Sequence, residues 1–496
     1  MRPSLALDFG AESGRLIAGL WDGTRFQLEE LHRFPTGGTP VGDSLRWDVA
    51  KFWREIQTGL LIAGTRFGHE AVSIGADTWG LDYVLLDGQG QLLEQPWHYR
   101  DRRNRGVLES VTEQVSREEI FAASGVQFME INTLYQLLAS EARHPGLLAR
   151  ADRLLMIPDY LHFLLSGSRD SEFTNATTTQ FFHPTRKTWA TELLAKLGLP
   201  TTLLPNVVQP GSPLGMLLPE VAAHSGLSSR LQVIAPATHD TGSAVAGLPQ
   251  IDVPAGAHVA FLSSGTWSLL GVELPAPNLS EAALAGNFTN EGGLDGSYRF
   301  LKNVMGLWIV QECRRAFGLD SSAYADLVEA ARLATPFRSL IDPDHPSFLN
   351  PENMPKAIAA FCSTTAQPIP DSHAEFIRCA LESLALKYAR VLDSLRNITG
   401  LPIAAVNIVG GGSRNRLLNQ FTADACQLPV VAGPAEATAL GNLLCQARGR
   451  NEIRSAAEMK AIARASSSLE THLPGNAGAW QDAAARFARL CAHPRN

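Results

Sequence analysis

Apolar positions open the chain in short runs. Residues 5–9 predict a buried strand and residues 15–20 a second one, with the small-residue stretch 10–14 as the loop between them. Asp22-Gly23 carries a hairpin signal, and residues 26–34 continue the meander. Trp47-Asp48 opens a helix over residues 49–63, with Asp48 as its N-cap. Strands over 72–76 and 81–86 flank Asp77-Thr78-Trp79-Gly80, and Asp87-Gly88 closes that unit as a turn.

The opening shape returns later. Residues 258–262 predict a strand, Ser263-Ser264-Gly265 a loop, and residues 266–271 another strand. An apolar strand over 404–409 leads into Gly410-Gly411-Gly412 and a helix over 414–425, and a long amphipathic helix precedes it over 374–399. Residues 248–256, with two prolines and a glycine, make the best linker, which divides the chain into 1–247 and 248–496. From about Asn451 the chain is Ala-rich, and a helical tail with a poorly ordered end is expected.

Composition narrows the class. With 45% hydrophobic and 18% charged residues, the 496-residue chain is an ordinary globular protein of several domains. Its net charge of −7 argues against a protein held on nucleic acid by a diffuse basic surface. Asp8, Glu12 and Arg15 interrupt any signal-peptide core, and no apolar run approaches a membrane span, so no membrane partner is expected. Cys313, Cys362, Cys379, Cys426, Cys445 and Cys491 include no CxxC pair and no His at finger-like spacing; they read as reduced thiols of a cytoplasmic enzyme.

Five segments carry candidate chemistry, each beside a plainer alternative. Gly10-Ala11-Glu12-Ser13-Gly14-Arg15, just after Asp8, suits a row of backbone N–H groups around phosphate, or is a simple hairpin turn. It is neither a Walker A loop nor a GxGxxG fingerprint. Ser263 to Ser268 offers small hydroxyl residues for phosphate, with Thr266 as a donor, or is a polar turn. Gly410-Gly411-Gly412 lets a flat ligand lie on bare backbone, or serves tight packing. Asp240, between His239 and Thr241, is placed as a proton acceptor for a hydroxyl, or as a helix N-cap. Asp77 to Asp82 offers carboxylates and an aromatic face for a sugar, or simply puts Trp79 in the core.

The order of these segments resembles the actin-like ATPase architecture in its FGGY carbohydrate kinase form. The strings that carry the resemblance are Gly75-Ala76-Asp77-Thr78-Trp79-Gly80-Leu81-Asp82, Thr174-Asn175-Ala176-Thr177-Thr178-Thr179-Gln180, His239-Asp240-Thr241, Leu262 to Ser268, Asn290-Glu291-Gly292-Gly293 and Leu301 to Trp308. The resemblance implies an α/β fold of two actin-like (ribonuclease H-like) domains, hinged near residues 248–256, with an interdomain catalytic cleft. It implies ATP and Mg²⁺, and within the family the strings are most similar to members that phosphorylate L-rhamnulose on its 1-hydroxyl. By position, Ala11, Glu12, Ser13, Gly14, Arg15, Thr266, Asn303, Gln311 and Gly411 are expected to meet ATP. Gly80, His239, Asp240 and Thr241 are expected to line the sugar, with Asp240 as base and Asp8 on the metal side. One departure stands out: Glu12 replaces the Ser expected in the first loop, and its carboxylate is expected to face solvent. Kinases for another ketose, such as L-fuculose or xylulose, and a protein-binding actin-like ATPase are the rival readings.

Overall fold

A computed structural model describes residues 2–475 and 477–492. The chain packs as two compact units. The first comprises the chain up to Gln250 together with Glu273–Phe300 and Ala437–Ser467; the second comprises Ile251–Val272, Leu301–Glu436 and the chain from Ser468 on. The division expected at 247/248 lies close to the first of these crossings, and the chain then returns to the first unit twice. The expected poorly ordered terminus falls on residues 493–496, outside the described residues.

The first unit is built on a six-stranded sheet in the order Pro213–Met216, Gln232–Ile234, Ser73–Asp77, Arg2–Phe9, Ser13–Trp21, Phe26–Pro35. Its three middle strands are parallel, and the strands on either side are antiparallel. Every position of Arg2–Phe9 after Arg2 is buried, as a central strand covered on both faces requires. Helix Val49–Phe67 covers one face; Asp48 caps it by accepting from the Lys51 N–H at 2.8 Å, and Phe52 meets the Phe9 ring edge-on. Gly59 of that helix lies against Leu16, whereas Leu443 of helix Ala437–Gly449 lies against Gly19. Leu16 and Gly19 are an odd number of residues apart on one strand, so the two helices cover opposite faces. Ala6, Ile17, Ala246, Leu440, Leu443 and Leu444 join the core on the second face.

The second unit repeats the plan. Next to Trp267–Leu274 its strands run His258–Ser264, Ile403–Val409, Val430–Ala432 and Glu470–His472. Their successive relations are antiparallel, parallel, parallel and antiparallel, the same as those from Ser13–Trp21 to Pro213–Met216 in the first unit. The echo read in the sequence is thus a repeated sheet topology. Helix His373–Thr399 matches its expected span, capped by Ser372 and ended by Gly400 at φ 69°.

Two elements differ from expectation. The helix expected over 414–425 is Arg416–Cys426, because Asn415 caps it (Leu418 N–H to Asn415 Oδ1, 3.0 Å) after a tight turn over Gly411–Arg414. The Ala-rich tail is split into helices Ala456–Ala465 and Ala477–Cys491 by the strand Glu470–His472, too short to show an alternation. The six cysteines are free thiols, and no helix among the described residues is long and apolar enough to cross a membrane.

The short helix Asp240–Ala246 crosses Ala437–Gly449 at unusually close range. An ideal Cβ on Gly441 stands 1.8 Å from the Ser243 carbonyl oxygen, a backbone atom that cannot swing away. Gly441→Ala therefore has to push the two helices apart. We expect a loss of about 1–3 kcal/mol in urea unfolding and a fall in turnover, since the displaced helix begins with Asp240.

Candidate active site

Three carboxylates gather where the parallel strands of the first unit end. Asp8 and Asp77 are register neighbours on adjacent strands. Thr78 bridges to His239, with Thr78 N–H donating to the Thr238 carbonyl at 2.9 Å and Asp240 N–H to the Thr78 carbonyl at 2.7 Å. Asp240 is thereby set beside the other two, at the carboxyl end of an α/β sheet where such folds place ligands. It is the first residue of helix Asp240–Ala246, and His239 is the N-cap, so the plainer reading of Asp240 as a cap does not apply.

Their electrostatics follow from crowding. Burial pushes the Asp77 carboxyl well above the usual carboxylate range, and the charges of Asp8 and Asp240 push it further; the Asn442 side chain, donating at 2.6 Å, opposes them. Asp240 is also raised, mainly by burial, against the pull of His239 and of the Thr241 N–H, which donates to Oδ1 at 2.6 Å. Its carboxyl is packed round by protein, yet about a third of the side chain (32%) remains open. A proton acceptor needs this combination of raised affinity and access.

Asp77 Oδ1 is buried with no hydrogen-bond partner. An acceptor-only oxygen facing two further carboxylates fits a hydrated divalent cation. Among the described residues no group of three or more His, Cys, Asp or Glu side chains is arranged to hold a metal alone. Mg²⁺ needs only one or two carboxylates when waters and substrate phosphates complete its shell. Asp8 and Asp77 suit that kind of site.

The loop that presents His239 and Asp240 is anchored from below. Buried Glu172 accepts from Thr174 N–H (2.9 Å), Thr174 Oγ1 (2.5 Å), Thr238 N–H (2.9 Å) and Thr238 Oγ1 (2.7 Å). Thr174 Oγ1 in turn accepts from the His239 N–H at 3.1 Å. Gly80 lies beside this loop: an ideal Cβ there sits 3.1 Å from Thr178 Oγ1 and 3.4 Å from His239 Nε2. Gly80, His239, Asp240 and Thr241 are thus brought together. Trp79 is not a sugar platform. It is buried against Trp47 with ring centroids 4.1 Å apart, and both indole N–H groups donate to fully buried Asp82, at 2.9 and 2.5 Å.

In the first loop, Thr36 and Gly37 tie down the backbone. Thr36 Oγ1 donates to the Gly10 carbonyl (2.8 Å), the Thr36 N–H to the Glu12 carbonyl (3.2 Å) and the Gly37 N–H to the Ala11 carbonyl (3.1 Å). Ser13 and Gly14 already belong to the second strand. Glu12 is half-buried. Arg15 forms an ion pair with Asp8, its cross-strand neighbour.

The second unit holds a cavity of about 1190 Å³, walled by Gln311, Tyr324, Arg332, Gly411, Asn415 and His472 among others. The glycine triplet shapes it in three ways. Gly410 has φ 80°, a conformation side chains resist. A Cβ on Gly412 meets Ser264 Oγ at 2.1 Å, whereas one on Gly411 meets nothing within 4 Å. Tight packing therefore accounts for two of the glycines, and open wall for the middle one. Gln311 and Gly411 line the cavity; Thr266 and Asn303 do not. Thr266 forms the hairpin turn beside it, accepting from the N–H groups of Gly306 and Trp308, and Asn303 is half-buried on strand Tyr298–Met305.

Sequence reasoning missed several residues. Asn442 and Tyr324 sit on helices whose apolar patterns give no hint of a site. Asn415 stands three positions after the glycine triplet, just before the helix, so its capping role was within reach. Arg299 looks like a surface residue by type and is fully buried beside His239.

Comparison with known proteins agrees with this geometry. The model of the N-terminal domain of the FGGY family of carbohydrate kinases matches residues 4–247, and that of the C-terminal domain matches residues 260–450. Rhamnulokinase of Bacteroides thetaiotaomicron is 43% identical over 97% of this chain and 98% of its own. Rhamnulokinase of Pectobacterium carotovorum is 46% identical over 89% of this chain and 87% of its own. Among solved structures, xylulose kinase from Lactobacillus acidophilus superposes with a TM-score of 0.79 at 16% identity, covering 99% of this chain and 97% of that one. Glycerol kinase from Plasmodium falciparum with ADP gives a TM-score of 0.77 at 14% identity, covering 99% and 98%. The fold is that of an FGGY kinase, of actin-like ATPase type, and the chain belongs to the FGGY family of carbohydrate kinases.

Proposed function

We propose that this enzyme transfers the γ-phosphoryl group of ATP to the 1-hydroxyl of L-rhamnulose, giving L-rhamnulose 1-phosphate and ADP. The chemistry rests on one observation above others: a partly open carboxyl, Asp240, with raised proton affinity, beside His239 and Gly80. The choice of sugar follows the near full-length identity to rhamnulokinases.

In this reading the first unit binds the sugar and carries the first phosphate loop, and the second holds the nucleotide. Gly80, His239 and Thr241 fix the ketose so that its hydroxyl faces Asp240. Asp240 orients that hydroxyl and takes its proton as the oxygen attacks the phosphorus in line with the leaving ADP. Backbone N–H groups from Ala11 to Gly14 stabilise charge on the transferring group. Arg15 fixes Asp8 rather than acting alone on phosphate. Asp8 and Asp77 would hold Mg²⁺ through water; when bound, the ion neutralises phosphate charge. The adenosine moiety occupies the cavity walled by Gln311, Tyr324 and Gly411, and Asn303 reaches the nucleotide from its strand.

A coupled ADP-release assay over L-rhamnulose, L-fuculose and xylulose tests the assignment. We expect kcat/KM highest for L-rhamnulose; a preference for another ketose would replace the substrate, and hydrolysis indifferent to every sugar would remove the kinase reading. Asp240→Asn should lower kcat by about 10²–10⁴-fold with the KM for ATP nearly unchanged. Because Asp240 works ionised and its proton affinity is raised, kcat/KM for the sugar should fall as pH drops through that raised pKa. The acid limb should thus lie above the ordinary Asp value of about 3.9, and a limb at or below it would contradict the assignment. Gly411→Leu adds a side chain only to the cavity. It should raise the KM for ATP by roughly tenfold or more, about 1.4 kcal/mol, with little change in Tm.

A further inference from the structure

The Asn290-Glu291-Gly292-Gly293 string and Arg299 take no part in the reaction described so far, yet they converge behind His239. Arg299 is fully buried. Its Nε donates to the Gly292 carbonyl at 2.8 Å, its Nη1 lies 3.1 Å from Glu291 Oε2, and its Nη2 lies 3.2 Å from His239 Nδ1. Glu291 Oε2 is also 3.1 Å from His239 Nδ1. The other ring nitrogen, Nε2, looks the opposite way, 3.4 Å from Asp240 Oδ1 and beside Gly80.

Nδ1 thus has two neighbours of opposite demand. A guanidinium can only donate, and an ionised carboxylate can only accept. Suppose the ring proton sat on Nδ1. An N–H would then face an N–H of Arg299, and the bare Nε2 would face a carboxylate oxygen of Asp240. Both contacts would repel, in surroundings with little water to soften them. With the proton on Nε2, Arg299 donates to Nδ1, Nε2–H donates toward Asp240, and Glu291 balances the buried guanidinium. The second arrangement makes the Arg299 and Asp240 contacts attractive and leaves one repulsive contact, Nδ1 to Glu291, which the guanidinium shared by both offsets, whereas the first leaves two. The hydrogen bond at one ring nitrogen fixes the proton on the other.

We propose that Arg299 is a positioning residue: its buried guanidinium holds the His239 proton on Nε2, so that the ring meets the acceptor sugar as a fixed hydrogen-bond donor beside Asp240. Glu291 supplies the counter-charge. Donor and acceptor are then sorted before substrate arrives: His239 gives a hydrogen bond to a sugar oxygen, and Asp240 takes the proton of the attacking hydroxyl. This rests on the reading of His239 and Asp240 as the sugar site.

The test is ¹⁵N NMR of histidine-labelled full-length enzyme without substrate. His239 is assigned by its loss in His239→Gln among the 13 histidines. We expect the neutral Nε2–H signature in the native protein; an Nδ1–H or doubly protonated ring overturns the proposal. Arg299→Met removes the donor. Because it also strands Glu291, the double variant Arg299→Met/Glu291→Met, which removes the buried pair as a unit, is measured with it. In whichever of the two folds, the Nε2–H signature should be lost or mixed. The KM for the sugar should rise about tenfold while the KM for ATP stays within about twofold, the pattern of lost sugar binding rather than general damage. An unchanged tautomer, or equal effects on both substrates, overturns it. The NMR readout needs no sugar, so a wrong choice of ketose would show in the substrate panel and leave the tautomer result standing.

Discussion

Ionised Asp8, Asp77 and Asp240 repel one another at the end of the first unit's sheet, in surroundings too poor in water to screen them. The neighbourhood is arranged around that repulsion. Arg15 pairs with Asp8, Asn442 donates to Asp77, and the Thr241 N–H donates to Asp240. Asn442 comes from helix Ala437–Gly449, just over two hundred residues beyond Asp240, and Gln446 extends its grip by donating to Asn442 Oδ1 at 2.6 Å and, as a second donor, to the Leu5 carbonyl at 2.8 Å. A late helix thus both seals the sheet and manages the charge at its end. Groups held at raised proton affinity destabilise the fold when ionised, a strain sites of proton transfer commonly carry.

Polar burial around His239 shows how such a site keeps its shape. Glu172 receives four hydrogen bonds from Thr174 and Thr238, and Arg299 and Glu291 back the imidazole ring. A buried network of this kind rigidifies, because breaking one contact strands several partners. Leu81 and Gln180, both non-glycine residues at positive φ (77° and 68°), lie in the strings that surround Gly80 and Thr178. Strained backbone of this kind persists only where neighbours over-determine it. Here Thr133 Oγ1 donates to the Leu81 carbonyl at 2.6 Å, and Asn132 Nδ2 to Gln180 Oε1 at 2.9 Å.

The second unit solves a different problem. In the proposed reading the second unit's cavity takes a nucleotide base, flat and apolar on its faces, against Tyr324 and bare backbone at Gly411. Asn415 ties the two sides together by capping helix Arg416–Cys426 through Oδ1 and donating from Nδ2 to the Tyr324 hydroxyl at 3.0 Å.

Much of this was legible along the chain. Strands and the long helices declare themselves through apolar runs and caps, because burial of one face imposes a local period; the spans near Val49 and His373 came within a few residues. Asp240, Gly80 and the glycine triplet drew notice because their neighbours are small. Local order does not reveal what distant segments do to one another. That Trp79 belongs to the core, that Arg15 serves Asp8, that Thr266 and Asn303 lie outside the cavity wall, and that Arg299 stands behind His239 depend on contacts between residues tens to hundreds of positions apart. The sequence by itself determined most of the elements and the family, and it singled out Asp240 as a candidate, since these rest on short-range patterns. Only the tertiary structure decided proton affinities and donor–acceptor roles, because burial and charge act through space, and neither is written in the order of residues.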